Sequence, residues 1–314
     1  MPVLAQTRLL RPLLLLPLLL TACAPPLDTD KPLLPRPQVL PSFATFPDKA
    51  EPFQLATTLA AEGRAKLAAG DLQGALPPMV KALQASPAHP EARLGLALVY
   101  EKAGLGSVAL DLLRPLKAEV ATCGLCRYVL HTAAKSPEFA RLAQTKEGTA
   151  LFADLPPALD FAATAQKLAT ALKTGDPDKC EPWAHPKMPF ELVRSCPSCP
   201  QPAQQERARR PLMGPSMMAK LALRFNTVNP QLRGIQLNVG SAATCQERCC
   251  TWPLPKPVPE NTAALAKVCL LPTDATSAVA AEIEAVYGTP TVVPARALVP
   301  GSAPVRAPAP APAP

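Results

Sequence analysis

Apolar and polar positions fall into distinct regimes along this chain. Residues 12–20 form an almost unbroken apolar run behind Arg8 and Arg11. The run is far shorter than the roughly 20 residues that a bilayer-spanning helix needs. Residues 23–52 show no apolar period, and eight prolines lie between 24 and 52, the pattern of a stiff, extended tether. From 53 to 150 apolar residues return at helical spacing. In GDLQGALPPMVKALQASP, residues 70–87, Ala75, Met79 and Ala82 share one helix face. PALDFAATAQKLATALKT, residues 157–174, predicts an amphipathic helix that stops at Gly175-Asp176-Pro177. Beyond it the period shortens. Ile235, Leu237 and Val239 alternate as in a strand, LAKVCLLPT (265–273) predicts a second strand, and 275–287 predicts a closing helix. From 289 onward the chain runs into alternating Ala-Pro, where every second N–H is missing, so a disordered tail is expected.

The helical stretch repeats itself. Gly70 and Gly104 stand 34 residues apart, as do Ala75 and Ala109. That period, with Leu96, Ala97, Tyr100 and Leu113 at matching positions, resembles the tetratricopeptide repeat. Units are placed at 56–89 and 90–123, with a degenerate helical pair at 125–147. Small residues would let neighbouring helices approach, and larger apolar side chains would fill the remaining space. The departures are Glu62 and Lys66, where the family prefers apolar residues, and prolines at Pro77, Pro78 and Pro115, each expected to kink its helix. The resemblance implies a partner-binding groove lined by first helices: Ala60, Arg64, Leu67, Leu94, Leu98 and Glu101. These are mostly small or apolar and lack the Lys/Asn/Arg set that clamps a C-terminal carboxylate, so a hydrophobic partner segment is expected. The implied fold is an α-helical solenoid over 53–150, followed by a cysteine-rich α+β domain over 157–288. The order of elements in the second half, a long helix, a His-Pro and later strands, resembles the cystatin-like fold of the nuclear-transport-factor-2 type.

The N-terminal run ends in Leu20-Thr21-Ala22-Cys23, which resembles a bacterial lipobox. The resemblance implies a signal peptide at 1–22, cleavage before Cys23 and covalent lipid on that thiol, with no other cofactor. More than one acyl chain makes such an anchor stable. Ala24, rather than Asp, implies the outer membrane, with the body facing the periplasm. Loss of Arg8 and Arg11 would leave 30 basic and 24 acidic residues, a net charge of +6. Nothing in the chain reads as nucleic-acid recognition. The densest basic stretch, Arg207, Arg209, Arg210, Lys220 and Arg224, reads as a solvated helix face.

Only 4% of residues are aromatic and the hydrophobic fraction is 48%, which favours close-packed Leu/Ala helices over a β-sandwich. With Cys23 taken by lipid, nine cysteines remain: Cys123, Cys126, Cys180, Cys196, Cys199, Cys245, Cys249, Cys250 and Cys269. Export makes disulfides the default. Candidates are Cys123–Cys126, one bond among Cys180, Cys196 and Cys199, and Cys245 or a neighbour with Cys269. Nine is odd, so one thiol is left over. The CGLC and CPSC pairs also admit redox or zinc chemistry, but no βαβ pattern surrounds them and their spacing is unlike a compact zinc ribbon. Haem attachment is excluded because Arg127 and Pro200, not histidines, follow the second cysteines. His89, His131 and His185 fall in no nucleophile–base arrangement, and no phosphate loop or dinucleotide fingerprint is present. The expected function is therefore a non-catalytic, membrane-anchored interaction scaffold binding an envelope protein through the groove. Alternatives are a ligand-binding or enzymatic C-terminal domain, with His185, Asp176 and Asp178 near a pocket, or a CxxC redox protein.

Overall fold

A computed structural model of the protein describes residues 50–225, 234–274 and 276–289. Leu20, Thr21, Ala22, Cys23, most of the expected tether and nearly all of the expected tail lie outside the described residues. Helix α1 (Glu51–Ala68) stops where Gly70 takes φ +80°, and α3 (Pro90–Lys102) stops where Gly104 takes φ +81°. At both ends a backbone bond closes the last turn, Asp71 N–H to Lys66 O at 2.9 Å and Leu105 N–H to Tyr100 O at 2.9 Å. A left-handed residue in this place is glycine's role, because a side chain there is strained. The 34-residue spacing is thus a repeated helix-ending device. Helices α2 (Leu72–Ala85) and α4 (Gly106–Ala118) return antiparallel partners to α1 and α3.

Met79 of α2 shows how close the packing is. A Cβ added at Gly63 of α1 would lie 2.7 Å from Met79 Cε, and one at Gly95 of α3 would lie 2.3 Å from it. The thioether therefore threads between two helices that lack side chains where it passes. Pro77 and Pro78 lie inside α2, and Pro115 lies inside α4, yet both helices run through them. Helix α5 (Gly124–Lys135) follows, then a single 3-10 turn and two short helices, α6 (Ala140–Ala143) and α7 (Lys146–Phe152). The expected degenerate pair is thus one full helix and fragments.

The second half is an α+β unit. Helix α8 (Phe161–Thr174) is capped by Asp160 and ended by left-handed Gly175. After α9 (Pro177–Cys180) come β1 (Pro189–Ser195), α10 (Pro202–Gln205), β2 (Ala208–Met213) and α11 (Pro215–Phe225). Strands β3 (Gln236–Asn238), β4 (Thr244–Gln246), β5 (Cys249–Thr251), β6 (Thr262–Pro272) and β7 (Ala278–Tyr287) complete it. The described strands form one sheet in the order β2-β1-β7-β6-β5-β4. Strands β3 and β5 share the second edge of β6, at 262–264 and 267–269. The β1–β7 and β3–β6 pairs are parallel and the rest antiparallel. Helices α8 and α11 cover one face, and Leu168, Leu172, Phe190, Met218, Phe225, Val268 and Ile283 meet in its core.

One prediction is overturned here. Residues 275–287 do not form a closing helix, because 278–287 are strand β7, central in the sheet and paired with both β1 and β6. Its sequence, AVAAEIEAVY, is rich in good helix formers, and the register shifts along β6–β7 break the two-residue alternation that would have marked a strand. Strands β1 and β2 also form between the 157–174 helix and Ile235, where the sequence pattern predicted no strand.

Candidate functional site

The groove positions fall into pairs 34 residues apart. Ala60 and Leu94 are buried, and so are Leu67 and Glu101. Arg64 and Leu98, the middle pair, remain partly exposed. Among the expected groove positions, each repeat therefore offers one accessible side chain. The outer positions are covered by other parts of the same chain. Glu101 accepts from Arg141 Nε of α6 at 3.1 Å, and its backbone carbonyl accepts from the same guanidinium at 3.1 Å.

The N-terminus of α3 carries a buried polar cluster. His89 is its N-cap, and Nδ1 accepts from the Ala92 N–H at 3.3 Å. That leaves the proton on Nε2, 2.9 Å from Thr57 Oγ1, which in turn donates to Phe53 O at 2.9 Å. The Phe53 ring lies 4.2 Å from the imidazole, centroid to centroid. Burial pushes the His89 pKa down to about 4, Glu91 opposes this, and Arg248 and Arg64 reinforce it. Glu91 is itself buried, which pushes its carboxyl upward, but Arg248, Arg64 and His89 together hold it below the usual range. Arg248 Nη2 donates to Glu91 Oε1 at 2.6 Å.

Arg248 comes from the far half of the chain. It sits in the two-residue turn between β4 and β5, next to Glu247 in the left-handed region at φ 54°. Two disulfides, Cys245–Cys250 and Cys249–Cys269, staple that hairpin to itself and to β6. The guanidinium also lies over the Tyr128 ring of α5, 5.2 Å from its centroid, and Tyr128 meets Phe161 of α8 edge-on at 5.6 Å. Ion-pair, cation–π and edge-on aromatic contacts thus join α3, the hairpin, α5 and α8. Next to Glu91 on the same helix, Arg93 is fully buried, and none of its three guanidinium nitrogens has a hydrogen-bond partner. Burial pushes its pKa down to about 10.

The remaining cysteines resolve into two local bridges, Cys123–Cys126 and Cys196–Cys199, and Cys180 is the free, buried thiol. Burial first, and then Asp176, push the Cys180 pKa up to about 12, with Lys179 opposing, so it stays a thiol. Cys123 and Cys126 are fully buried at the start of α5, where the Cys126 N–H donates to Cys123 Sγ at 3.0 Å. A Cβ on the intervening Gly124 would lie 2.1 Å from the Asp274 carbonyl oxygen, so the turn after β6 closes against this bridge. His185 is buried, with Nδ1 accepting from the Lys187 and Met188 N–H groups at 3.2 and 3.1 Å. His131 donates from Nε2 to Pro156 O at 2.7 Å. Among the described residues no group of histidine, cysteine and carboxylate side chains is placed to hold a metal ion. No described helix is long and apolar enough to cross a membrane.

These features define a helical-repeat module fastened to a cysteine-rich, strand-containing domain. The tetratricopeptide repeat family matches residues 66–127, the span from the end of α1 to the first turn of α5. The chain therefore carries tetratricopeptide-like repeats in its helical part, a class that mediates protein–protein interaction. No curated protein and no solved structure matches the chain.

Proposed function

We propose that the protein is a lipid-anchored, non-catalytic scaffold or adaptor of the cell envelope, docking an envelope protein on its repeat face. The family match over 66–127 carries the adaptor half of this reading. The Leu20-Thr21-Ala22-Cys23 sequence supports the anchor, with lipid on Cys23 and the body facing the periplasm from the outer membrane. Arg64 and Leu98 are the groove positions open to a partner, which points to a contact centred on those two equivalent sites.

A photo-crosslinking residue placed at 64 or at 98 is expected to capture the same envelope protein, while one at exposed Lys173 captures none. Equal capture at all three sites, or none at 64 and 98, would refute the adaptor role. Mass spectrometry of the mature N-terminus tests the anchor separately: an acylated Cys23 is expected, and an unmodified one sinks it. The redox reading gains no support from the buried Cys123–Cys126 bridge, because thiol exchange needs an accessible sulfur.

A further inference from the structure

We propose that a cleft between the sheet edge and α11 binds a multiply charged oxyanion of the phosphate class. The inference is independent of the role of the repeats. The cleft encloses about 130 Å³ and is lined by Leu192, Arg194, Arg210, Leu212, Lys220 and Arg224, with Met217 and Leu221 beside them. At about 30 Å³ per water molecule it has room for a phosphate group.

The register explains how the cations converge. Leu192 pairs with Arg210 and Phe190 with Leu212 across β1 and β2, and Arg194 follows Leu192 by two residues. Phe190, Leu192 and Leu212 pack in the core beneath α11, so Arg194 and Arg210 project on the same side. On α11, Lys220 and Arg224 are one turn apart and face the same cleft. None of the lining residues is acidic, and none of the four cations has an ion-pair partner among the described residues.

The other face of the sheet is built differently. There Arg207 pairs with Glu284, Arg209 with Glu191 at 2.8 Å, and Lys267 with Glu282 at 2.8 Å. One face of the sheet thus balances its charges and the other gathers four like charges over an apolar floor. Unbalanced cations at short range repel one another, and an anion of charge −2 relieves that repulsion. The three guanidinium groups suit a tetrahedral oxyanion because each can donate in a bidentate fork. Tyr287 reports the same field: burial raises its pKa, while Arg194 and Arg224 pull it back.

The test is a calorimetric titration of the full-length protein at low ionic strength. One arm uses inorganic phosphate and pyrophosphate. The other uses dihexanoyl phosphatidic acid, a phosphomonoester, below its micelle concentration, with dihexanoyl phosphatidylcholine as control. Saturable binding in the first arm identifies a free phosphate ligand. Saturable binding of phosphatidic acid alone identifies a lipid headgroup. Either outcome supports the site, provided that Arg194→Gln and Arg210→Gln each weaken it by about tenfold. Lys220→Gln, at an exposed position with little bearing on folding, is expected to weaken it by about threefold. Arg207→Gln, on the balanced face, should leave it unchanged. No saturable binding in either arm, or equal losses for Arg207→Gln and Arg210→Gln, overturns the proposal.

Discussion

Removing the Arg248 guanidinium would leave the Glu91 carboxylate buried beside His89, with only Arg64 nearby to offset it. Breaking one side of a buried ion pair costs about 3–5 kcal/mol. Arg248→Met is therefore expected to lower the unfolding free energy by that amount, read as a lower urea midpoint, and a further Glu91→Met change to recover much of it. Equal midpoints for wild type and Arg248→Met would show that the pair contributes nothing. His89 sets a second dependence. Its folded pKa of about 4 lies below the ordinary 6.5, so the unfolded chain binds a proton that the folded chain refuses. The stability from the neutral imidazole is complete above pH 6.5 and is lost as pH falls toward 4, to a total of roughly 3 kcal/mol. His89→Asn keeps a capping acceptor for the Ala92 N–H and removes this titration. Its stability should stay flat between pH 6.5 and 4.5, with acid loss beginning only in the ordinary carboxylate range, where Glu91 and Asp274, both held low in the fold, take up protons in the unfolded chain. Denaturant melts at half-unit pH steps would show a retained slope if His89 were not the cause.

At the scale of elements, the helix–helix contacts rest on missing side chains. Gly95→Ala would place a methyl 2.3 Å from Met79 Cε, at a site also pressed by α1. Overpacking of this kind costs about 1–3 kcal/mol, and Met79→Ala in the same chain should relieve the clash while adding its own loss of burial. Strictly additive free energies in that double-mutant cycle would rule out the contact. This packing was legible in the sequence because everything it needs is local: Gly70 and Gly104 end helices, and Ala75 and Ala109 repeat at 34. Strand β7 was not legible, because its partners β1 and β6 impose extension on residues that locally favour helix. The same holds for the groove. Its positions could be counted from the repeat, but the residue that meets Glu91 lies 157 positions away on a turn that carries no pattern of its own. The basic stretch was legible as charge. It is not the single helix face expected: Arg209 and Arg210 lie on opposite faces of strand β2, the first paired and the second in the cleft, while Lys220 and Arg224 reach that cleft from α11.

At the scale of the whole molecule, the segment between α7 and α8 reads in the sequence as a boundary, yet it is strapped down. Arg127 donates to the carbonyls of Val120 and Pro157, and His131 holds Pro156. The described residues all belong to one compact unit, and the stapled β4–β5 hairpin inserts its arginine between the repeat helices. Cutting the chain at 153–160 would thus produce two halves that each bear a fault. One would keep Glu91 without its cation, and the other would present Arg248 on a rigid turn with nothing to grip. Such halves are built for complementation: expressed apart they should be soluble only with difficulty, and mixed under oxidising conditions they should find each other. A thiol reductant that opens Cys245–Cys250 and Cys249–Cys269 would then act as a release agent, loosening the presented arginine before it unfolds either half.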